Sequence, residues 1–456
     1  MSLSSKSFSL FKRDVFLFGG NLVTGVIVAR ILGPEALGLW AILQLIPSYA
    51  ESFGRMKFDI AAVYFIGKKK YSEEDVAFTL NVLAIATSFI LITLILWQSD
   101  WLYRTLFAKT TADVRFMMYL VLPQIPLQFI YVNYSYLFIQ REDIQTYNRM
   151  VVMQTLFSSV GSIVLVAGFK LGLLAVIISA NLSLLISVVY GVYTFGPVKI
   201  GRWFNWPLIK DLFSYAYKLY LVGIISHINV YFTNLIVALY LLPAQLAFYS
   251  MAQSRAQLLE KVPNSLNAML FPRISKIDDP NESAELSAKA FRTSLTILVF
   301  TSIFAFVLIE PLVILLYGSA YKPMVSIFRI ILPGVVLSSS STTLNQYFQG
   351  IGRADVLAKM AVFPMFAQIG AALVLIPKFG SKGAAIAFSA SLLVNALVQI
   401  FYFVRASKLS FNKHLSIRRE DILLVRKFIA ANLARYVPAR LKKLLGISPV
   451  SYEGIS

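Results

Sequence analysis

The chain has no cysteine. Disulfides, thiolate metal sites and cysteine nucleophiles are therefore excluded. Histidine is nearly absent as well: His227 and His414 are the two among 456 residues, and they fall in different segments, too far apart in sequence to suggest a His-rich metal site. No metal or other cofactor is implied. Charge is sparse, 14% of residues against 58% hydrophobic, with a mean hydropathy of +0.71. A soluble domain carries about 25% charged residues. Acidic residues are the scarcer sign, 22 Asp and Glu against 42 Lys and Arg.

What is present is a series of apolar blocks about 20 residues long, separated by short charged loops, which is the length that crosses a bilayer as helix. The pattern defines an all-α integral membrane protein. The first apolar run, from Val15 to Leu32, has no small-residue cleavage pattern after it and reads as a span rather than a cleavable signal. Twelve spans are predicted: 14–32, 36–66, 77–97, 113–139, 147–168, 172–195, 211–241, 244–272, 290–309, 323–349, 355–376 and 383–404. Pro47, Pro263, Pro333 and Pro364 lie inside predicted spans and predict kinks.

The net charge of +20 is distributed by side. The N-terminus, Lys68–Lys70, the loops at Arg141 and Arg202, PRISK at 272–276, Arg353 and the C-terminal tail carry most of the basic residues. The opposite loops hold only a few, such as Arg104, Lys170 and Lys378. This asymmetry places both termini in the cytoplasm. It accounts for the basic balance as a topology signal, so no nucleic-acid partner is needed.

The chain also repeats itself. VIVARILGPEALGLWA at 26–41 aligns with LIVALYLLPAQLAFYS at 235–250, an offset of 209. LPQIP at 122–126 answers LPGVV at 332–336 (offset 210), QRED at 140–143 answers GRAD at 352–355 (offset 212), and GLLAV at 172–176 answers GAAIA at 383–387 (offset 211). A period near 210 contains six spans, an even number. The halves should then be lobes related by a pseudo-two-fold along the membrane normal, with a site between them. The expected boundaries are 1–195 and 211–404 for the lobes, 196–210 for a cytoplasmic linker and 405–456 for a basic tail. Arg30 and Glu35 occur only in the first copy. They read as a structural corner, Arg30 satisfying helix-terminal carbonyls and Glu35 suiting a helix start.

Polar residues form matching stripes in the second and eighth spans. Gln44, Ser48, Glu51, Ser52, Arg55 and Asp59 share one helical face. Gln253, Gln257, Glu260, Lys261 and Asn264 map, minus 209, onto 44, 48, 51, 52 and 55. Charges at bilayer depth cost at least about 2.5–3.5 kcal/mol each, so they face a bundle interior or a wet cavity. Two such stripes would face each other across a central cleft. An alternative is internal pairing of Glu51, Arg55 and Asp59, which are spaced i, i+4. Counting Arg55, Lys57, Lys218, Arg255, Lys261 and Arg329 against Glu51, Asp59 and Glu260, the cleft is basic. Such a cleft attracts an anion, and Arg offers forked donors matched to phosphate oxygens. Lys218 and Arg329 could instead snorkel or pair locally. His227 reads as a hydrogen-bonded interior residue.

At ARILGPEALGLWAI, followed by ESFGRMKFDIAAVYFIGK, the chain resembles the Wzx-type polysaccharide-biosynthesis flippases, which share a superfamily with multidrug extruders and the lipid II flippase. The resemblance extends through the twelve-span pattern over about 400 residues. It implies two six-helix lobes, a cationic lumen and alternating access. It also implies transfer of undecaprenyl-diphosphate-linked sugar repeat units to the outer leaflet of the inner membrane, coupled to a proton or sodium gradient. Membrane lipids and glycan-polymerising assembly proteins would be the partners. Arg55 and Arg255 are similar in position to lumen arginines of these flippases. The charged GRMKFD departs from the family's usual stretch, so Lys57 and Asp59 rest on the local argument alone.

The site residues expected to meet the substrate are Arg55, Lys57, Arg255, Lys261, Lys218, Gln44, Gln253, Gln257 and Asn264. Glu51, Asp59 and Glu260 are candidates for a coupling cation. An organic-cation antiporter of the same fold is the alternative, disfavoured by the basic balance. A membrane enzyme acting on a lipid-linked sugar would need a poised acid/base pair or metal site in sizeable loops, and no catalytic residues of that kind are found. The tail segment 420–446 alternates apolar and basic positions and reads either as an interfacial helix on anionic lipid or as a solubilising tail.

Overall fold

The computed structural model describes residues 3–110, 113–196, 205–277, 279–410 and 414–423. Among them there is no strand, and nine helices are long and apolar enough to cross a membrane. The protein is a multi-pass membrane protein. Fourteen α-helices follow in order: α1 Leu3–Gly54, α2 Phe58–Gly67, α3 Glu73–Trp97, α4 Ser99–Leu106, α5 Arg115–Leu120, α6 Gln124–Gln140, α7 Ile144–Ile163, α8 Leu173–Phe195, α9 Trp206–Tyr240, α10 Pro243–Ala256, α11 Lys261–Ile274, α12 Pro280–Tyr317, α13 Pro323–Gly350 and α14 Ala354–Ser407.

Local chemistry sets several boundaries. Ser72 accepts a hydrogen bond from the Asp75 amide at 3.1 Å and is followed by Glu73, Glu74 and Asp75 at the positive end of α3. Asp143 caps α7 through the Thr146 amide at 3.0 Å, and Asn205 caps α9 through Leu208 at 3.2 Å. Two helices conceal sharp breaks. Gly33 (φ 76°, ψ 175°) divides α1, and Gly380 (φ 61°, ψ −139°) divides α14. Both adopt backbone angles that only glycine reaches cheaply. Pro47 lies inside α1 without interrupting its helical dihedrals.

Several predicted spans differ in detail. The second, read as continuous over 36–66, is interrupted at Arg55–Lys57, and Met56 and Lys57 are both left-handed. The fourth is split into α5 and α6 at LPQIP, and the fifth ends in a π-helical turn, Val164–Gly168. The eighth carries a tight 3₁₀ turn, Gln257–Glu260, between α10 and α11. The ninth runs from Pro280 to Tyr317, well beyond the apolar 290–309. Amphipathic α4 was not anticipated at all.

The loop register is also corrected. Arg141, Glu142 and Asp143 amides donate to Leu137, Ile139 and Phe138, and those of Ile351, Gly352 and Arg353 donate to Tyr347, Gln349 and Phe348. These are the same Schellman closure at an offset of 210, where residue identity had suggested 212. Likewise Gly172 (φ 60°, ψ −136°) matches the backbone of Gly380 rather than pairing with Gly383.

The chain divides into two compact units, residues 1–252, 310–327 and 368–387 in one and residues 253–309, 328–367 and 388–456 in the other. The first unit has a core of Phe58, Phe65, Leu80, Tyr134, Phe138, Met150 and Leu212, contributed by α2, α3, α6, α7 and α9. Arg30 donates to the carbonyls of Leu315 and Leu316, and the Tyr321 hydroxyl donates to the Ala29 carbonyl at 2.9 Å. Arg30 thus caps a helix end as expected, but the end of α12 rather than of its own limb.

The second unit is built on Phe291, Tyr347, Phe348, Met360 and Phe403. A buried polar network crosses it. Ser341 donates to Gln399 at 2.6 Å, Gln399 to Asn395 at 3.2 Å, and Asn395 to Ser338 at 2.9 Å. Buried Arg292 pairs with Asp421 at 3.1 Å and donates to the His414 carbonyl, fastening the segment after α14. The predicted tail helix beyond residue 423 lies outside the described residues.

Candidate functional site

A cavity of about 300 Å³ opens in the first unit between the end of α1, the turn after it and the middle of α9. Ser48, Glu51, Ser52, Arg55, Met56 and Lys57 line one side; Gly223, Ser226, His227, Val230 and Tyr231 line the other.

The site exists because the second span breaks there. α1 stops at Gly54, which is wedged so closely that a Cβ would stand 2.4 Å from the Leu91 side chain and 2.9 Å from that of Phe129. Met56 (φ 50°) and Lys57 (φ 60°) then turn left-handed before α2 begins at Phe58. Non-glycine residues hold that conformation at a cost of about 1–2 kcal/mol each. Non-helical backbone at membrane depth is tolerated where protein or a watered cavity satisfies its polar groups. Here the Tyr220 hydroxyl of α9 donates to the Phe53 carbonyl at 3.2 Å, and the Arg55 amide still reaches Glu51 at 3.2 Å.

Arg55 spans the break. Its Nη1 donates to Glu51 at 2.8 Å, and its Nε lies 3.7 Å from Asp59. Glu51 is one-third exposed in the cavity wall, whereas Asp59 is wholly buried behind it. Both its oxygens lack a hydrogen-bond partner among the described residues, and Arg55 is its compensating charge. The internal pairing allowed by the i, i+4 spacing is therefore realised, and it balances Arg55 twice over. Lys57 is the remaining cation of the wall, with no ion pair among the described residues. Its stem lies along Gly223, where a Cβ would come within 2.9 Å of the Lys57 Cε.

His227 lines the cavity, a placement that reading it as an ordinary interior residue missed. Its Nε2 has no hydrogen-bond partner among the described residues. The ring is held between Tyr231, stacked at 4.5 Å, and Tyr49, edge-on at 4.7 Å. Ser226, Tyr220 and Tyr231 were also missed. Their signal was the spacing of polar residues along α9, obscured because each is individually ordinary in a membrane helix.

The other sequence-identified residues lie elsewhere. Gln44 donates to Gln124 of α6 at 3.1 Å and does not line the cavity. Lys218 lies in α9, its side chain outside the described set. Gln253, Arg255, Gln257, Glu260, Lys261 and Asn264 belong to the second unit. There Gln253 is buried, Arg255, Gln257 and Glu260 are half-buried, and Lys261 and Asn264 are exposed. Arg329 pairs locally, donating to the Phe306 carbonyl at 3.1 Å while its guanidinium covers the Phe306 ring at 4.8 Å. Among the described residues no cluster of three or more His, Asp or Glu could hold a metal ion.

The all-helical fold is shared with solved transporters. The chain superposes on an inward-facing multidrug-resistance MATE-family transporter with a TM-score of 0.72 and 17% identity, covering 85% of this chain and 94% of that one. It superposes on the lipid II flippase MurJ in an inward closed conformation with a TM-score of 0.73 and 14% identity, covering 96% and 95%. In sequence it is 22% identical over 422 residues to a Shigella flexneri protein whose assigned role is O-antigen transport, covering 87% of this chain and 98% of that protein. Residues 27–326 match the polysaccharide biosynthesis protein family, and the chain belongs to that family.

Proposed function

We propose that the protein is a flippase, a transporter and not an enzyme, which carries undecaprenyl-diphosphate-linked oligosaccharide repeat units to the outer leaflet of the inner membrane by alternating access. The observation that carries this reading is the cavity at the broken second span, where Lys57 and the doubly paired Arg55 meet water-accessible polar groups. A diphosphate would take Lys57 directly and compete with Glu51 for the Arg55 fork, since charge-assisted bonds to phosphate are of the same kind as those to carboxylate. Ser48, Ser52, Ser226 and Tyr231 offer hydrogen bonds to sugar hydroxyls. Family membership and the likeness to a flippase fold support the same direction.

Counting the limbs on either side of Gly33 and Gly380 separately, and adding α10–α11, gives twelve crossings. That count supports the expected lobes, 1–195 and 211–404, joined by 196–210, with both termini cytoplasmic. In this reading Arg255, Gln253, Gln257, Lys261 and Asn264 would also contact substrate. Glu51, Asp59 and Glu260 would hold a proton or sodium ion.

The test is cell-surface glycan at matched protein levels. Lys57→Ala, and Arg55→Ala placed in an Asp59→Asn background to spare the fold, should each abolish it. Unchanged glycan in both would overturn the reading. One observation favours the organic-cation antiporter: Glu51 stands one-third exposed in the cavity, where a cation could displace Arg55 from it. Dye export lost on Glu51→Gln, with glycan unaffected, would establish that reading instead.

A further inference from the structure

The polar cavity has an apolar neighbour. A groove of about 430 Å³ lies in the same unit between α1, α3, α4 and α9, lined by Tyr49, Phe53, Leu91, Trp101, Leu235 and Leu239 among others. That volume falls in the range of sites that take small ligands. Its lining is aliphatic and aromatic except for the Thr105 and Tyr49 hydroxyls and the Trp101 indole N–H.

The groove and the cavity share the same two turns of α1. Ser48, Glu51 and Ser52 face the cavity, while Tyr49, Ala50 and Phe53 face the groove. Aromatic rings mark the boundary between them. Tyr49 stacks on Phe53 on the groove side and meets the edge of His227, which belongs to the cavity. The Tyr49 hydroxyl and His227 Nε2 lack hydrogen-bond partners among the described residues. From Tyr49 to Arg55 along the helix is about 9 Å.

We infer that the groove holds the polyprenyl chain of the substrate while its diphosphate occupies the cavity. The inference rests on the flippase reading and extends it from headgroup to tail. The ligand chemistry that uses both compartments joins an anion to a long hydrocarbon within a few bond lengths. A polyprenyl diphosphate does so with one branched chain, which a single groove accepts, whereas a diacyl lipid must leave one chain outside. Trp101, largely exposed on short amphipathic α4, supplies the aromatic residue suited to the membrane–water boundary beside the groove.

The experiment uses the full chain in nanodiscs with a polyprenyl diphosphate carrying a photoreactive diazirine in its third isoprene unit. Saturable labelling of residues 91–106 and 235–239, displaced by unlabelled polyprenyl diphosphate, is expected. Leu235→Trp and Leu239→Trp, each checked for an unchanged melting profile, should weaken binding of this lipid at least tenfold. Binding of dimethylallyl diphosphate, which has almost no tail, should change less than twofold. Saturable binding with the label elsewhere overturns the groove and leaves the flippase reading standing. Equal labelling by a diazirine phospholipid that polyprenyl diphosphate cannot displace also overturns it. No saturable binding of either diphosphate removes both readings.

Discussion

The two polar spans of this protein carry the same residue pattern on different backbones. In the first, Glu51 and Arg55 lead into a complete break, with two left-handed residues and a fresh helix start at Phe58. In the second, Glu260 closes a single 3₁₀ turn and the helix resumes at once with Lys261. The comparison teaches that the polar stripe alone does not open a helix. The first copy has Gly54 packed against Leu91 and Phe129, and Tyr220 to satisfy the carbonyl of Phe53. It also has a cation bridging carboxylates on both sides of the gap. At the position equivalent to Arg55 the second copy has Asn264, which cannot make that bridge.

The strongest way to break the contrast is to remove the bridge. Arg55→Ala leaves Asp59 buried without its counter-charge and should lower stability by about 3–5 kcal/mol, read as early thermal unfolding in detergent. Asp59→Asn in the same chain should restore most of it. A second substitution makes the first corner resemble the second. Gly38 corresponds to Ala247, yet a Cβ on Gly38 would sit 1.8 Å from the Pro243 carbonyl oxygen. Gly38→Ala should cost about 1–3 kcal/mol or more, seen as reduced folded yield, because a backbone neighbour cannot yield as a side chain does.

Smaller effects sharpen the comparison. Glu51→Gln releases one of the two partners of Arg55 and should tighten diphosphate binding roughly tenfold, about 1.4 kcal/mol, by calorimetry. Lys57→Gly relaxes a left-handed position and should raise stability by about 1 kcal/mol while weakening diphosphate binding, two readouts moving in opposite directions.

The smallest effect lies before the apolar span of α9, which begins at Leu219 rather than at 211, where Lys70 and Tyr71 both hydrogen-bond Asp211 at 2.5 Å. These bonds hold the Asp211 carboxyl below its usual range, and the bond to Asp211 lifts the Lys70 ammonium above its own. The lowered carboxylate contributes stability above its unfolded pKa, lost as pH falls through the folded value. The raised ammonium contributes below its unfolded pKa, lost as pH rises through the folded value. The melting difference between wild type and Asp211→Asn should thus be greatest between about pH 4 and about pH 10 and shrink outside that window.

Much of this was legible in the chain. Apolar blocks gave the class. The i, i+4 spacing offered the Glu51–Arg55–Asp59 pairing as an alternative, and Arg30 was read as a helix cap, though for its own helix end rather than that of α12. What escaped were features set by three-dimensional packing. A left-handed Lys57 has no composition signal, since glycine, the residue that marks such a conformation, is absent from 55–58. The 210 register of the loops was hidden because Glu142 and Gly352 hold the same left-handed closure with different side chains. His227 was placed in the interior because a lone histidine does not disclose that it borders a cavity. The apolar groove was invisible for the opposite reason: its lining looks like any lipid-facing surface.

The pairing of Arg30 with residues 315–316 has a consequence for how the chain is made. The ribosome delivers the guanidinium nearly 290 residues before its acceptors, so through most of synthesis Arg30 must remain hydrated at the bilayer edge, and the first limb cannot settle at its final depth. The carbonyls of Leu315 and Leu316 then emerge beside a donor already waiting. Completion of the first unit therefore cannot precede α12, with residues 368–387 of the same unit arriving later still, and a chain cut short before residue 315 would keep a movable first helix however well its other early spans had packed.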